Sequence, residues 1–255
     1  MLRLAASLAV AALLAVPAAI GAAPARPALL VVTETAGFRH SGAIAAGLAE
    51  LRRLEARGGY RVREVERFSD LEPGDYASAR GLVLLQTSGT PVLDMARRAR
   101  LLRAVRGGLP LLGFHAAADT FARWPAFHRM LGANFRDHPN VGVGRVRVED
   151  RGHPAMRRLD ASFRIREEFY RFLPTPDPRR GARVLASLDV ASVGGTPRGD
   201  RPLVWSRTEG RGRVFYSALG HDARTWRDPR HRRLLAGALS WALPPAAVSV
   251  TRLGP

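Results

Sequence analysis

Leu109-Pro110-Leu111-Leu112-Gly113-Phe114-His115-Ala116-Ala117-Ala118-Asp119 is the stretch on which the fold turns. The apolar run after the proline reads as a short, fully buried strand, of the kind covered on both faces in a parallel sheet. The small alanines behind His115 suit a sharp strand-to-helix turn with close backbone approach. His115 is therefore expected at the carboxyl end of a central strand. In open α/β sheets that edge binds ligands, because loops gather there around a crevice at the topological switch point.

Outward from this stretch, strand and helix signals alternate. Ala28 to Thr33 reads as an apolar strand followed by a polar loop to His40. Ser41 or Gly42 is expected to cap a helix that carries Ile44, Leu48, Leu51 and Leu54 and stops at Gly58-Gly59. Tyr60 to Phe68 alternates like an exposed or edge strand. Gly81 to Leu85 is the next buried strand, ending in Gln86-Thr87-Ser88-Gly89-Thr90, and Asp94 caps a helix that ends at Gly107-Gly108. This βαβαβ rhythm implies parallel strands and helical crossovers. The second half is less regular. A short helix is expected over Trp124 to Leu131, a loop over Gly132 to Pro139, and a strand through Val141 to Val148 that changes face or bulges near Gly144. Further strands follow at Phe163 to Phe172, Arg183 to Leu188, Leu203 to Ser206 and Gly212 to Leu219, with a glycine-rich turn before Leu203. A last helix spans roughly Pro229 to Trp241 and ends at Pro244-Pro245.

Composition bounds the class. The chain has 255 residues, 46% of them hydrophobic, with Gly 25 and Pro 18 spread along it. That is enough for one α/β domain whose core needs no staples. Residues 1–25 have a positive start, an apolar stretch and a run of small residues, the pattern of a secretory signal peptide. Pro17 and the shortness of the run argue against a stable membrane span. An exported domain, periplasmic or secreted, is expected over 26–243, with a tail at 244–255. There is no cysteine, so neither a disulfide nor a thiolate nucleophile is available. The formal charge of +18 comes from arginine alone. These arginines are scattered and no nucleic-acid-binding motif is present, so only non-specific, salt-dependent contact with nucleic acid is expected.

His40, Thr87, Ser88, His115 and His221 each follow a strand at its carboxyl end. If the sheet is parallel, these loops share one edge and the side chains meet in one crevice. Each histidine taken singly reads as a loop cap or a satisfied hydrogen-bonding group. Of the adjacent Glu167 and Glu168, one is expected to reach the crevice and the other to be solvated, since neighbours on a strand face opposite ways. His138 and His153, each before a proline, read as turn residues. His128 and His231 read as surface or packing histidines. Trp124, Trp226 and Tyr170 could stack on a sugar ring or fill the core rim.

Several motifs resemble one family. Thr33-Glu34-Thr35-Ala36-Gly37-Phe38-Arg39-His40, Gly113-Phe114-His115-Ala116-Ala117-Ala118-Asp119 with Trp124, and Gly132-Ala133-Asn134-Phe135 with His138-Pro139 come first. Asp150-Arg151-Gly152-His153-Pro154, Glu168-Phe169-Tyr170 and Ala218-Leu219-Gly220-His221 follow in order. Together they resemble the ThuA-like (trehalose utilisation) family over about residues 28–242. The resemblance implies a flavodoxin-like fold similar to the class I glutamine amidotransferases: a three-layer sandwich with a mostly parallel central sheet. It also implies a role in bacterial catabolism of trehalose-like sugars and their 3-keto derivatives, with a small-molecule carbohydrate as partner. In the amidotransferases the central strand ends in a Gly-x-Cys-x-Gly elbow. Here Gly113-Phe114-His115 stands there, so thiolate chemistry is excluded.

Two mechanisms fit these residues. In one, His115, His221 and Glu168 form an acid/base set that moves protons beside a keto group. In the other, two or three of His40, His115, Glu168 and His221 hold a divalent metal ion that polarises a ketone or hydroxyl. Arg39, His40, Thr87, Ser88, Asp119, Trp124 and Tyr170 would contact the sugar, although Asp119 could instead cap the helix after the elbow. The rival reading is a non-catalytic carbohydrate-binding or scaffold domain on the same fold.

Overall fold

The computed structural model describes residues 26–195 and 201–243. The expected signal segment and the tail lie outside the described residues, as does part of the glycine-rich turn before Leu203.

In chain order the elements are β1 (Ala28–Val32), α1 (Ser41–Arg53), α2 (Glu55–Gly58), β2 (Arg61–Val65), α3 (Pro73–Ser78), β3 (Gly81–Leu85), α4 (Met95–Arg106), β4 (Leu111–Phe114) and α5 (Pro125–Leu131). The second half carries β5 (Phe135–Asp137), β6 (Gly142–Val148), β7 (Ser162–Glu167), β8 (Arg171–Phe172), β9 (Arg183–Asp189), β10 (Arg201–Glu209), β11 (Gly212–Ser217), α6 (Ala223–Arg227) and α7 (Pro229–Ala242). Among the described residues, nine strands form one sheet in the order β2-β1-β3-β4-β11-β10-β9-β6-β7, and β5 pairs with β8 apart from it. The strands from β2 to β11 run parallel. Beyond β11 the pairings are antiparallel.

This is the expected α/β architecture, and burial explains it. Every residue of β3 and β4 is buried, as a strand with helices on both faces requires. Four of the five residues of β2 are exposed or half-buried because it is the outer edge. Chain order reverses at β1, with β2 on one side and β3 on the other. The loops after β1 and β3 therefore diverge and leave a crevice at the carboxyl edge. Helices α1, α6 and α7 pack on one another and α3 packs on α4. Buried Glu50 of α1 binds Arg53 and Arg232, which fastens α1 to α7.

Three local expectations need correction. Helix α1 begins at Ser41, and neither Ser41 nor Gly42 caps it. His40 holds the cap position without a side-chain cap bond, because its ring is turned elsewhere. β6 pairs with β7 in unbroken register, so there is no bulge at Gly144. Gly144 instead makes room for the Phe169 ring, 2.7 Å from where a Cβ would stand, while Val143 is exposed. The strand-to-helix turn expected after His115 leads into a 3-10 segment, His115–Asp119, rather than an α-helix.

The antiparallel half is curled. Glu167 ends β7, four strands away from β11, yet its carboxylate accepts from the backbone N–H of Gly220 just past β11 at 2.9 Å. A flat sheet would separate these strands by roughly 19 Å at about 4.8 Å per step. Arg230 of α7 helps to fix the curl, donating to the Arg164 carbonyl and lying over the Phe163 ring.

Gly237 is where α7 touches the turn containing Pro154. A Cβ there would run into the Pro154 carbonyl oxygen and lie 2.7 Å from Ala155 Cα. Gly237→Ala is expected to cost roughly 1–3 kcal/mol, seen as about 2–4 °C of lost melting temperature per kcal/mol in a domain of this size. Gly42→Ala, with nothing within 4 Å, should be neutral or slightly stabilising. Equal effects of the two changes in thermal melts would disprove this account of the α7 contact.

Candidate metal centre

Three imidazoles arrive from the ends of three parallel strands. His40 closes the loop after β1, His115 follows β4 directly, and His221 stands four residues past β11. His115 is held at φ 48°, a left-handed backbone that costs a residue with a Cβ about 1–2 kcal/mol. Two contacts fix it. The Tyr216 hydroxyl donates to the His115 carbonyl at 2.6 Å, and His115 Nδ1 lies 2.7 Å from the Ala218 carbonyl oxygen. A carbonyl can only accept, so Nδ1 carries the proton and Nε2 keeps its lone pair. Full burial pushes the His115 pKa down to about 4, so the ring is neutral at neutral pH.

The lone pair faces a carboxylate. Glu168 Oε2 is 3.4 Å from His115 Nε2, 3.0 Å from His221 Nδ1 and 3.9 Å from His40 Nε2. His115 Nε2 and His221 Nδ1 are nevertheless buried without a hydrogen bond of proper geometry. Orphaned polar atoms are rare in protein interiors and call for a reason. One ligand atom from each of His40, His115, Glu168 and His221 lies within 4.8 Å of all the others. Zinc-type ligands sit about 2.0–2.2 Å from their ion, so small side-chain motions would close this set on one cation. Burial raises the Glu168 pKa, but contacts with His115, His221 and His40 outweigh it and hold the carboxyl well below its usual range. Glu168 in turn raises the His221 pKa.

The segment Glu168-Phe169-Tyr170 delivers the carboxylate. Phe169 is anchored over Gly144, and the Tyr170 ring lies 4.3 Å from the His115 ring. Glu168 is thus followed directly by two buried aromatic residues that fix the segment carrying it. Glu167 is not solvated, contrary to the alternation argument. It is fully buried and accepts from the backbone N–H groups of Gly220 and His221 and from the Thr225 hydroxyl. β7 ends at Glu167, so strand alternation stops between the two acids and both turn inward. Burial raises the Glu167 pKa to about 7 despite those three donors.

Other expected site residues are placed as follows. Tyr170 lies at the centre, and Asp119 ties the elbow to the β3 loop, its Oδ2 accepting from Gly89 N–H at 3.1 Å; it caps no helix. Thr87 is buried with its hydroxyl 2.7 Å from that of Thr120, and the Ser88 hydroxyl donates to the Phe38 carbonyl. Arg39 folds back on the Thr33 carbonyl and the Thr35 hydroxyl. Trp124 packs among Phe121, Phe127 and Arg98. The structure thus brings His40, His115, Glu168, His221 and Tyr170 together and engages the remaining side chains in fixing loops. A cleft of about 820 Å³ lined by His128, Arg129, Asn134, Arg180 and Arg207 includes none of the four ligand-bearing side chains.

The His138-Pro139 pair reads as a turn in the sequence, yet His138 stands at the centre's edge. Its Nε2 is 3.7 Å from Glu168 Oε2 and its ring stacks on Tyr170 at 5.6 Å. It follows β5 directly, so it sits at a strand end as His40, His115 and His221 do, and that is the sequence signal that could have found it.

Fold and site together define a flavodoxin-like α/β protein with an imidazole–carboxylate centre at the carboxyl edge of its sheet. The chain belongs to the trehalose utilisation (ThuA) family, which it matches over residues 28–242. A ThuA-like protein from Bacteroides uniformis ATCC 8492 is similar in structure, with a TM-score of 0.73 and 25% identity, over 89% of this chain and 95% of that one. A ThuA-like protein from Parabacteroides merdae ATCC 43184 gives 0.66 at 20% identity, over 85% and 90%. The β-galactosidase of Rahnella sp. R3 shares the fold alone, with a TM-score of 0.53 and 16% identity, over 86% of this chain and 32% of that enzyme. No curated protein matches the sequence.

The Glu167 pKa sets a pH signature. The ordinary value is 4.5 and the folded value about 7, so the folded state binds the proton more tightly. This contribution to stability is whole below about 4.5 and is lost as pH rises through about 7. In metal-free protein, the stability of wild type relative to Glu167→Gln should fall across that window by on the order of 3 kcal/mol. Denaturation at a series of pH values measures it, and parallel profiles for the two proteins would refute it.

Proposed function

We propose that the chain binds one divalent transition-metal ion, of the zinc type, through His40, His115, Glu168 and His221, and uses it to process a trehalose-like or 3-keto-glycoside sugar. The observation that carries this reading is the pair of buried, unbonded ring nitrogens, His115 Nε2 and His221 Nδ1, facing one carboxylate oxygen. A metal-free acid/base set would pair its imidazoles with Glu168 through formed hydrogen bonds, and three rings are more than one oxygen needs. Imidazole and carboxylate ligands suit zinc and its neighbours. The bond between His115 Nδ1 and the Ala218 carbonyl oxygen is the outer-shell contact that orients a metal-bound histidine.

A bound cation would supply charge that polarises a carbonyl or hydroxyl oxygen. Next to a keto group the neighbouring C–H is acidified, so elimination or isomerisation is the chemistry this favours at neutral pH. The chain's own residues set the stage. Glu168 balances the cation, Glu167 pins the His221 backbone, and Tyr170 walls the centre with an aromatic face. The family assignment supports a carbohydrate substrate, and the residue pattern of 1–25 supports action outside the cytoplasm. No specific nucleic-acid partner is part of this reading.

The test is elemental analysis followed by turnover. Protein equilibrated with Zn²⁺, Mn²⁺ or Ni²⁺ and then desalted should retain one ion per chain. His115→Ala and Glu168→Ala should bind it at least ~100-fold more weakly while staying folded. Turnover of trehalose or 3-keto-trehalose should vanish with a chelator and return with metal. Wild-type protein that retains no ion would sink the proposal, and retained ion with sugar binding but no turnover would point to a binding module.

A further inference from the structure

We propose that Phe38 is a stacking platform for a second sugar ring, so that the substrate is a glycoside of at least two rings, one at the metal centre and the next against Phe38. This rests on the carbohydrate reading above. Single exposed apolar residues are ordinary and by themselves say nothing. Phe38 differs in its neighbours and in how firmly it is held. It is 72% exposed, and its ring meets the His40 ring edge-on at 4.7 Å. His40 in turn lies 4.9 Å from His115. Phe38 is therefore one ring beyond the proposed ligand set and faces solvent on its free side.

The loop that presents it is stiff. The Phe38 carbonyl accepts from the Ser88 hydroxyl at 2.8 Å, and Thr35 and Ser88 form an isolated bridge between the β1 and β3 loops. Gly37 lies so close to Gly89 that a Cβ would stand 3.2 Å from the Gly89 nitrogen. Arg39, next in sequence, is folded back on the Thr33 carbonyl at 2.8 Å and so does not cover the ring. An aromatic face fixed in advance binds at low entropic cost, since little is ordered on association. The C–H face of a pyranose is apolar and its rim is polar. It suits a bare aromatic ring set beside polar groups, and an aliphatic partner without hydroxyls would leave that polar rim unused. From Phe38 a chain of ring contacts continues through His40, His115 and Tyr170 to His138.

The experiment uses the full chain loaded with zinc and measures calorimetric binding of trehalose and 3-keto-trehalose against methyl α-glucoside. Phe38→Ala should weaken binding of both disaccharides roughly five- to tenfold, leave methyl α-glucoside unchanged, and keep both the melting temperature and one zinc per chain. Phe38→Trp should retain disaccharide binding, with a change in tryptophan emission on adding trehalose and none with methyl α-glucoside. Equal disaccharide affinity in wild type and Phe38→Ala overturns the proposal. So does a loss shared equally by the monosaccharide, or a zinc-loaded wild type that binds no saccharide. Phe38-dependent disaccharide binding in a chain that holds no zinc would retire the metal reading and leave the platform standing.

Discussion

A single carboxylate oxygen, Glu168 Oε2, lies within 3.9 Å of nitrogens from four imidazole rings, those of His40, His115, His138 and His221. Such a cluster is costly unless charge is balanced. The rings cannot all be protonated in a half-buried space, because like charges at these separations repel strongly in a medium of low dielectric. One protonated ring, favoured at His221 by Glu168, balances the anion but leaves the other ring nitrogens unbonded, and a central cation would engage them all at once. The strain at His115 fits the same logic. A backbone at φ 48° persists only where surroundings over-determine it, and here Tyr216 and Ala218 do so from the neighbouring strand and its loop.

Delivering Glu168 to that point needs the curl of the antiparallel half. β6 and β7 lie at the far edge of the sheet by pairing, yet the end of β7 returns to the loop after β11. Three contacts hold it there: Glu167 on the backbone of Gly220 and His221, Phe169 seated over Gly144, and Arg230 against Phe163 and Arg164. Glu167 and Glu168 thus do different work although they are adjacent. The first, fully buried, binds the loop that carries His221, and the second faces the rings.

The parallel half was legible because its signals are local. Continuous apolar runs at Ala28, Gly81 and Leu109 and their polar ends fixed both the strands and the edge at which His40, His115 and His221 meet. The antiparallel half was less so, because its arrangement depends on contacts far apart in sequence. Nothing in Val143-Gly144-Arg145 announces that Phe169 will lie over that glycine, and alternation along β7 could not reveal that the strand stops at Glu167. Arg39, Thr87 and Ser88 engage their own or neighbouring loops in this structure for a related reason. Short polar side chains after a strand satisfy backbone groups of neighbouring loops as readily as they meet a ligand, and sequence position does not distinguish the two.

The comparison with a thiol elbow makes physical sense of the imidazole at His115. A strained left-handed turn at the end of a central strand lifts a side chain to the top of the sheet with its reactive atom free, which is what a nucleophile needs. The same turn suits a ligand. Nδ1 is consumed by the Ala218 carbonyl oxygen below and Nε2 is left bare above, so the backbone selects the tautomer and the burial keeps the ring neutral. What an elbow cysteine gains from an adjacent base, this chain would gain from a charge held among four residues. An imidazole in the place of sulfur therefore keeps the architecture, and under the proposed function it would turn the chemistry from covalent attack toward polarisation and proton transfer.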